Sequence, residues 1–511
     1  MRAARYVSLM IALSICPVGW ADVHLPANAQ ALSQDQQILH VLNRLGYGPT
    51  PESVAHVKKI GIAAYMDEQL HPNTIVENPA LEKFLAEKTT LEKTPAELIR
   101  LSKRFERAAM DGQALSAEDV INQRKQFSKS ILQDAQSARL ARGILSNRQL
   151  ESVMMDFWFN HFNVNFYAGV NILLMADYDH RVIRPYVFGR FSDLLKSTAH
   201  SLAMGNYLNN RENSKVFTNA KGKQFDMNEN YAREVMELHT LGVNGGYTQK
   251  DVIELARILT GWSYDTRGVN PSVADDLFMF RKDLHDTGDK NLLGVHFVNQ
   301  GEQEGIQALD LLASKQATAL NISKKIAQYF VSDQPSATLI KAMANAYMST
   351  QGDIGRVLEV LFSSDDFWAK KNIGQRFKTP YQYVVSSVRV SGIQPINYPP
   401  LISVLGRMSM PIYGYATPDG YKISQSAWLS SAALTTRLDY ASWFSRAKFP
   451  LLYSDPSMAT PLQKQSNTPR FDYMNTILDP IISSNTKKIL NQAPASQKLM
   501  LLLSSPDFMY D

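Results

Sequence analysis

The sequence predicts a mainly α-helical protein: one large multi-helical domain with long loops and at most a few short strands. Apolar residues recur at helical spacing along most of the chain, and residues 81–150 are rich in strong helix formers with charges of alternating sign. Strand signatures are scarce, since neither a series of alternating β-branched runs nor a βαβ rhythm is present. Hydrophobic residues make up 45% of the chain and charged residues 20%, which is typical of a globular protein.

Residues 1–21 have the pattern of a signal peptide. Arg2 and Arg5 form a positive segment, and the apolar run 7–18 follows it. This run is too short to span a bilayer, which needs roughly 20 apolar residues. Gly19-Trp-Ala21 ends the segment with small residues at the positions that precede a cleavage site. The protein is therefore predicted to be periplasmic or secreted, with no membrane span after removal of the signal.

Cys16 is the single cysteine, and it lies inside the predicted signal peptide. Ile15 precedes it where a lipoprotein signal has a small residue, which argues against lipidation. A mature chain without cysteine excludes disulfides, thiolate metal ligands and cysteine nucleophiles together. The formal net charge of +5 falls to +3 once Arg2 and Arg5 are removed, so charge gives no reason to expect a nucleic-acid partner.

Helices are expected after a flexible lead-in at 22–34. Periodic apolar residues from Asp35 end at the glycine- and proline-bearing break 46–51, where Thr50 or Pro51 starts a second helix. Further helices are predicted at 62–70, 322–331, 336–348, 354–362 and 381–390.

Irregular segments are predicted at two places. Glycine, aspartate and aromatic residues interrupt the helical pattern at 264–297, where short strands are expected. A proline-rich loop is expected at 392–425. Residues 35–511 are interpreted as one helical domain, in which a division into two lobes, if there is one, lies near 300–320.

The segment 228–242 carries the densest group of ionisable side chains. It predicts a helix over 230–241 that holds Glu234 and Glu237. At about 100° per residue, the two carboxylates lie about 60° apart around the helix axis and can converge on one point. Such a pair binds a hard cation, or serves as general acid and base when one pKa is raised. The alternative is a solvated face with an ion pair between Arg233 and Glu237.

His161 is a candidate for the same site. It lies in the aromatic run 157–162, which predicts a helix with His161 on its buried stripe. A buried histidine is often a neutral core residue hydrogen-bonded to a carbonyl or carboxylate. The alternative is that His161 meets Glu234 or Glu237 across helices, as a metal ligand or general base.

Two further residues are weaker candidates. His285 stands beside Asp286 in a loop, where it is either a metal ligand or base, or part of a turn that Asp286 stabilises. Asp251 lies near the start of a helix predicted over 249–261. There it is either a metal ligand or the second half of a capping box that begins at Thr248.

Several short motifs stand out by their composition and order. They are His40-Val-Leu-Asn-Arg-Leu-Gly-Tyr-Gly-Pro-Thr-Pro51, Phe157-Trp-Phe-Asn-His-Phe162, Asn228–Gly242, Leu259-Thr-Gly-Trp262, His285-Asp286, Thr417-Pro-Asp-Gly-Tyr421 and Ser505-Pro-Asp-Phe-Met-Tyr510. Together they resemble the DUF1800 family of exported bacterial proteins of unknown function, over residues 35–511. The resemblance implies export and a mainly helical build, and it supplies no catalytic residues. Met227 departs from the family pattern, which has proline before Asn228.

Motifs of several enzyme classes are absent from the sequence. It contains no Gly-x-Ser-x-Gly, His-Glu-x-x-His, P-loop or Gly-x-Gly-x-x-Gly pattern, which disfavours serine hydrolases, zincins, nucleotide enzymes and Rossmann oxidoreductases.

Two functions remain open. The first is metal-assisted hydrolysis of an extracytoplasmic substrate, with a divalent metal ion as cofactor. In it His161, Glu234 and Glu237 are catalytic, and His285 and Asp251 join them as metal ligands. The second is a non-enzymatic binding or assembly protein of the cell envelope, whose partner is an extracytoplasmic ligand or an envelope protein. In it the same cluster is structural, and the loop 392–425 serves recognition.

Overall fold

The computed structural model confirms the mainly helical class. It describes residues 23–110, 116–218, 222, 224–265, 275–454, 457, 459–460, 463, 466 and 468–511, so the predicted signal peptide lies outside the described residues. Helices account for 64% of the structure.

The α-helices of the described residues number 25, and most are short. They are α1 (Gln34–Arg44), α2 (Pro51–Ile60), α3 (Ile62–Leu70), α4 (Pro79–Ala86), α5 (Pro95–Met110), α6 (Ala117–Leu145), α7 (Gln149–His161), α8 (Met175–Asp177), α9 (Phe191–His200), α10 (Leu202–Tyr207), α11 (Asn230–Glu234), α12 (Gln249–Ile258), α13 (Glu302–Ala313), α14 (Gln316–Phe330), α15 (Ala337–Ser349), α16 (Ile354–Phe362), α17 (Asp365–Trp368), α18 (Pro380–Ser391), α19 (Pro399–Arg407), α20 (Gln425–Trp428), α21 (Ser431–Ser445), α22 (Phe471–Leu478), α23 (Ser484–Gln492), α24 (Ala495–Ser504) and α25 (Pro506–Met509). Two π-helical turns, at Tyr178–Ile183 and Val235–His239, extend α8 and α11.

The strands are short and pair locally. They are β1 (Phe217–Thr218) with β2 (Gln224–Phe225), β3 (Trp262–Tyr264) with β4 (Phe278–Phe280), and β5 (Lys290–Leu292) with β6 (Val295–Phe297), all antiparallel. In the second pair, Trp262 lies opposite Phe280 and Tyr264 lies opposite Phe278. Two of the three pairs lie in or next to the segment 264–297 where strands are predicted.

Several helices begin where the sequence places a cap. Thr50 and Ser53 cap α2, and Thr379 and Gln382 cap α18, each through a reciprocal pair of hydrogen bonds between side chain and backbone. Proline occupies the first turn of both helices, where its missing N–H is not needed. These helix starts are therefore set by local sequence.

One cluster of buried apolar side chains runs through the described chain from Val23 to Met509. The C-terminal segment joins it through a β-bridge between Phe377 and Tyr510. Residues 300–320, where a lobe boundary is predicted, contain α13 and the start of α14, and the boundary stays a prediction. Within the described ranges, no helix has both the length and the apolar character needed to cross a membrane.

Two segments differ from their predictions. The stretch 392–425 is not all loop, because it contains α19. Pro399 and Pro400 occupy the first turn of that helix, a position that suits proline. The helix predicted over 230–241 is α-helical only in α11 and continues as a π-helical turn over Val235–His239. Since a π-helix bonds residue i to i+5, the side chains after Glu234 project at angles that the α-helical spacing does not give.

Candidate functional site

α7 carries His161 to the centre of the candidate site. The helix is buried along nearly its whole length, and Trp158 fixes it by donating its indole N–H to the carbonyl oxygen of Val187 at 3.0 Å. His161 is the last residue of the helix and packs against Trp158 and Phe162. The prediction that His161 lies on a buried stripe is confirmed.

Side chains from two other helices bind the end of the π-helical turn at Val235–His239. Hydrogen bonds from outside the turn reach the carbonyl oxygens of three successive residues: Leu238 from Lys325 Nζ at 2.8 Å, His239 from His161 Nε2 at 3.0 Å, and Thr240 from Asn321 Nδ2 at 2.7 Å. The last carbonyl groups of a helix lack donors within the helix, so partners of this kind stabilise its end. A positive group there also interacts favourably with the helix dipole.

The bond to the carbonyl oxygen decides the tautomer of His161. A carbonyl oxygen only accepts, so Nε2 carries the proton and Nδ1 of the neutral ring keeps a lone pair. Lys325 Nζ lies 3.3 Å from this Nδ1 and donates to it. Burial, followed by Lys325 and His239, holds the pKa of His161 well below its usual value. The imidazole is therefore neutral at physiological pH.

Lys325 is partly exposed, and no carboxylate in the described residues forms an ion pair with it. Its hydrogen-bond partners are the carbonyl oxygen of Leu238 and the imidazole of His161. Burial and the neighbouring Lys422 lower the pKa of Lys325 to about 8, against an opposing effect of Asp419. A fraction of this side chain is therefore a neutral amine, and hence a base, near physiological pH.

His239 lies beside His161 and is more deeply buried, with 1% of its surface exposed. The two ring centroids are 5.9 Å apart. Neither ring nitrogen of His239 has a hydrogen-bond partner in the described part of the chain. Burial and then Lys325 lower the pKa of His239 to about 3. Buried polar groups without a partner are uncommon in native proteins, and a catalytic role is one recognised reason for them.

The loop 411–424 is bound to the end of α7. Asn160 makes two hydrogen bonds to the backbone of Tyr421, donating to its carbonyl oxygen at 2.8 Å and accepting from its N–H at 2.7 Å. Asn163 Nδ2 donates to the carbonyl oxygen of Thr417 at 2.8 Å. Gly420 has a φ of +70°, and a Cβ there would lie 2.2 Å from the carbonyl oxygen of Asn160, so the approach requires glycine. Two motifs distant in sequence are thereby joined.

Glu234 and Glu237 are both half-buried. Burial and then Glu237 raise the pKa of Glu234, and Asp419 adds to the effect. Burial, Asp419 and Glu234 also raise the pKa of Tyr207 to about 12. Asp419 thus interacts electrostatically with Glu234 and, as described above, with Lys325. Asp419, an exposed residue of the loop, therefore lies within electrostatic range of both the acid of the central motif and the lysine of α14.

The intrahelical ion pair considered from the sequence takes a different partner. Arg233 pairs with Glu229 at 3.0 Å and donates to Gln249 at 3.0 Å, whereas the expected partner was Glu237. Glu237 instead hydrogen-bonds with Tyr247, and its charge raises the pKa of Glu234.

His285 lies in a separate and closed cluster. Its Nδ1 lies 2.9 Å from the carbonyl oxygen of Thr260, and its Nε2 lies 3.5 Å from Glu304 Oε1. Lys290 Nζ lies 2.7 Å from the other oxygen of Glu304. His285 and Lys290 are each 2% exposed and Glu304 is 0% exposed. The cluster connects the His285-Asp286 motif to the Leu259–Trp262 motif and is shut off from solvent.

Asp251 is a helix cap. Its Oδ2 accepts from the N–H of Thr248 at 2.8 Å, in the reciprocal capping box predicted for α12. Its Oδ1 accepts from the N–H of Leu293 at 2.8 Å, which ties the β5–β6 turn to the helix. Both carboxylate oxygens therefore already accept hydrogen bonds from the backbone.

The five residues suggested from the sequence as metal ligands lie in three places. His161 binds the backbone at the end of the π-helical turn, whereas Glu237 lies within that turn and Glu234 directly precedes it. His285 belongs to the closed cluster, and Asp251 belongs to the cap of α12. In the ranges that the structure describes, no three His, Cys, Asp or Glu side chains are grouped so as to hold a metal ion. The metal role of these residues stays a prediction.

The motifs quoted from the sequence run from His40 to Tyr510, and a family model matches the same span. The model of a protein family of unknown function, DUF1800, matches residues 40–510. The chain belongs to the DUF1800 family. The resemblance seen in the motifs is thereby confirmed. No curated protein and no solved structure matches the chain.

Two members of this DUF1800 site are not indicated by the sequence alone. Lys325 lies outside the motifs, in an ordinary helical pattern. Its spacing does indicate a partly buried lysine. Lys325 follows Ile322 by three residues and precedes Tyr329 by four, which places it at the edge of the apolar face of α14. His239 projects away from Glu234 on an ideal α-helix, and the π-helical turn places it next to His161 instead.

Proposed function

We propose that this DUF1800 protein is exported and hydrolyses an extracytoplasmic substrate by general acid–base catalysis at the Lys325–His161 site. The observation that carries the proposal is the 3.3 Å contact between Lys325 Nζ and His161 Nδ1 at a partly exposed position. No carboxylate of the described residues pairs with this lysine. A pKa of about 8 for Lys325 is well matched to proton transfer near neutral pH.

Three side chains have separate roles in the proposed mechanism. The neutral amine of Lys325 takes a proton from the attacking water. His161 accepts a hydrogen bond from that amine and orients it, and its own tautomer is held by the carbonyl oxygen of His239. Glu234, whose pKa is raised by burial and by Glu237, supplies a proton to the leaving group.

The same contacts favour a second candidate function, a non-enzymatic binding or assembly protein of the cell envelope. Lys325, His161 and Asn321 all bind backbone carbonyl groups at the end of the π-helical turn. Such contacts stabilise a fold whether or not chemistry takes place. In this alternative the cluster holds the helices and the loop 411–424 in place for a partner.

The metal-assisted form of the hydrolysis has less support than the acid–base form. The partners of His161 are a lysine and a carbonyl oxygen, and a lysine ammonium next to a ligand nitrogen opposes the binding of a cation. Metal analysis of the purified mature protein, after reloading with divalent ions, tests this form. A bound ion that is lost in Glu234→Ala with the fold retained would favour metal over acid–base catalysis.

Activity is tested with the mature protein on a panel of p-nitrophenyl esters, glycosides and phosphates. For a substrate that is hydrolysed, Lys325→Met should lower kcat about 100-fold or more, which is the usual contribution of a general base. Lys324→Met, at the exposed neighbouring position of α14, is the matched control and should leave kcat unchanged. Full activity of Lys325→Met would overturn the proposed mechanism.

Reactivity of Lys325 is tested without any substrate. Trace labelling with acetic anhydride at a series of pH values, followed by peptide mass spectrometry, reports the titration of each lysine. Lys325 should reach half of its maximal labelling near pH 8 because burial and Lys422 lower its pKa to about 8. Unfolding of Lys325→Met, together with no turnover by the wild type on the panel, would favour the assembly function.

Export is tested by the mass of the mature protein. The support for export is the charge, apolar run and small residues of segment 1–21. Protein recovered from the periplasm or medium of an expressing bacterium should have the intact mass of a chain that begins at Asp22. A mass that still includes Arg2 and Arg5 would contradict cleavage at this position.

A further inference from the structure

A polar cavity lies away from the Lys325–His161 site. Its volume is about 590 Å³, and it lies among α2, α3, the segment 72–78, the end of α6 and the end of α18. The Gly46–Pro51 part of the first motif reaches this cavity through Thr50, and the proposed hydrolysis makes no use of that motif. The size is that of a site for a small molecule.

Arg389 lies at the wall of this cavity and is 8% exposed. Its Nε donates to the carbonyl oxygen of Gly48 at 3.0 Å, and its Nη1 donates to the carbonyl oxygen of Ile144 at 2.7 Å. These bonds hold the guanidinium in one orientation. Within the described chain its Nη2 group makes no hydrogen bond and no carboxylate forms an ion pair with it, so N–H donors remain for a ligand.

Two other buried arginines have a counter-charge, whereas Arg437 is bound, like Arg389, through a carbonyl oxygen without an ion pair to any described residue. Arg139 Nη2 lies 2.7 Å from an oxygen of Asp156, and Arg184 Nη2 lies 2.9 Å from an oxygen of Asp179. Arg389 has only carbonyl partners, and burial lowers its pKa to about 10. Removing a cation from water is costly unless an anion compensates for the lost hydration. An anion bound in the cavity would provide that compensation.

Two acidic residues at or near the cavity wall are already engaged. Glu68 Oε2 lies 2.7 Å from His56 Nε2. Glu77, nearby, accepts from the N–H groups of Asn78 and Asn147 at 2.7 and 2.8 Å. Glu52 is exposed, at the rim. Glu52 and Glu77 interact electrostatically with Arg389, but neither carboxylate forms an ion pair with its guanidinium.

The remaining wall suits a polar ligand body. Hydroxyl and amide side chains contribute to it, among them Ser53, Thr74 and Gln394, together with the rings of Tyr65 and Tyr473. The N-terminus of α2, with its positive end of the helix dipole, also opens on this side through Thr50 and Ser53. Hydroxyl and amide groups hydrogen-bond to sugar-like hydroxyls, and tyrosine rings pack on their apolar faces.

We propose that this cavity binds an oxyanion, a carboxylate or a phosphate, carried on a polar body, with Arg389 as the residue that recognises the charge. The Nη2 group of Arg389 keeps its N–H donors for a ligand, and hydrogen bonds from a guanidinium to an oxyanion are charge-assisted. The proposal is independent of hydrolysis at Lys325, because the two sites share no lining residue.

Isothermal titration calorimetry with the mature protein tests the proposal with three probes. Glucuronate carries a carboxylate on a sugar, inorganic phosphate carries the anion alone, and glucose is the uncharged counterpart. Saturable binding of glucuronate or phosphate, or of both, with glucose at least about tenfold weaker, supports the proposal, since a hydrogen bond to a charged group contributes about tenfold or more in affinity. The anion that binds more tightly shows whether the cavity recognises a carboxylate or a phosphate.

Two variants connect binding to Arg389. Arg389→Gln should weaken the anion about tenfold or more. Because that substitution changes a buried group, Gln394→Glu provides a second test that adds a negative charge at an exposed lining position. It should weaken the anion severalfold at low ionic strength and less at high salt.

Gln497→Glu is the matched control, because it makes the same change at an exposed position of α24 outside the cavity lining. It should leave anion binding unchanged. The proposal is overturned if neither anion binds, or if Gln394→Glu and Gln497→Glu bind the anion as the wild type does.

Discussion

Two clusters in this protein use a lysine and a histidine, and they differ in how the lysine charge is balanced. Lys290 is 2% exposed and lies 2.7 Å from Glu304, which in turn is 3.5 Å from His285. Lys325 is partly exposed and contacts the imidazole of His161 and a carbonyl oxygen, with no carboxylate of the described residues at ion-pair distance.

The difference shows what separates a structural cluster from a candidate site with the same residue types. The carboxylate of Glu304 pairs with the ammonium of Lys290 and compensates for the hydration that this buried charge has lost. The ammonium of Lys325 has no such partner, and burial together with Lys422 lowers its pKa to about 8. The composition of a motif therefore does not reveal which role it has. Whether a lysine is structural or available for chemistry depends on whether a carboxylate pairs with it and whether solvent reaches it.

The largest effect is expected from breaking the closed cluster. Glu304→Gln leaves the Lys290 ammonium buried without its anion and should lower the free energy of unfolding by about 3–5 kcal/mol. Urea denaturation at pH 7 measures it. Glu302→Gln, two residues earlier in α13, is the control and should change stability by less than about 1 kcal/mol, as is usual for exposed pairs. A loss in Glu304→Gln no larger than the control would contradict the comparison.

A smaller effect is expected from Lys325, and it depends on pH. The folded-state pKa of about 8 lies below the ordinary value of 10.5, so the unfolded chain binds more protons between these two pH values. The free energy of unfolding contributed by Lys325 should therefore rise as pH increases from about 8 to 10.5, by roughly 1–3 kcal/mol.

Lys325→Met should remove this rise, and Lys324→Met should retain it. Parallel urea titrations of the three proteins over this pH range make the measurement. If the wild type and Lys325→Met have the same pH dependence, then Lys325 has an ordinary lysine pKa, and the proposed role of its neutral amine is wrong.

The smallest effect at neutral pH is expected from His239. Its ring nitrogens have no hydrogen-bond partner in the described residues, so His239→Leu should change the free energy of unfolding by less than about 1.5 kcal/mol at pH 7. The pKa of His239 is lowered from 6.5 to about 3 by burial and Lys325. The wild type should therefore lose stability as pH falls through this range, because the unfolded state takes up the proton first.

His239→Leu should be relatively more stable than the wild type at pH 4, by more than about 1 kcal/mol. Circular dichroism of thermal unfolding at pH 4 and pH 7 gives the comparison. A large loss of stability in His239→Leu at pH 7 would show that the ring has a structural partner. The Lys325–His161 site would then be a structural cluster like that of His285, Lys290 and Glu304.

Much of the fold and part of the site could be predicted from the sequence. Helix class, the starts of α2, α12 and α18, and the capping role of Asp251 follow from residues close together in the chain. The buried position of His161 follows from the apolar spacing of α7. The sequence alone does not predict α19, because its prolines are typical of loops as well as of a first helical turn.

By itself the sequence determined the helical class, the family and the buried position of His161, because periodicity, capping and motif order are local properties of the chain. Only the tertiary structure decided the partners of the ionisable groups. It placed Lys325, 164 residues away in sequence, against His161. It also placed Glu304 next to both Lys290 and His285. Electrostatic interaction depends on distance and on burial, and neither can be obtained from spacing along the chain.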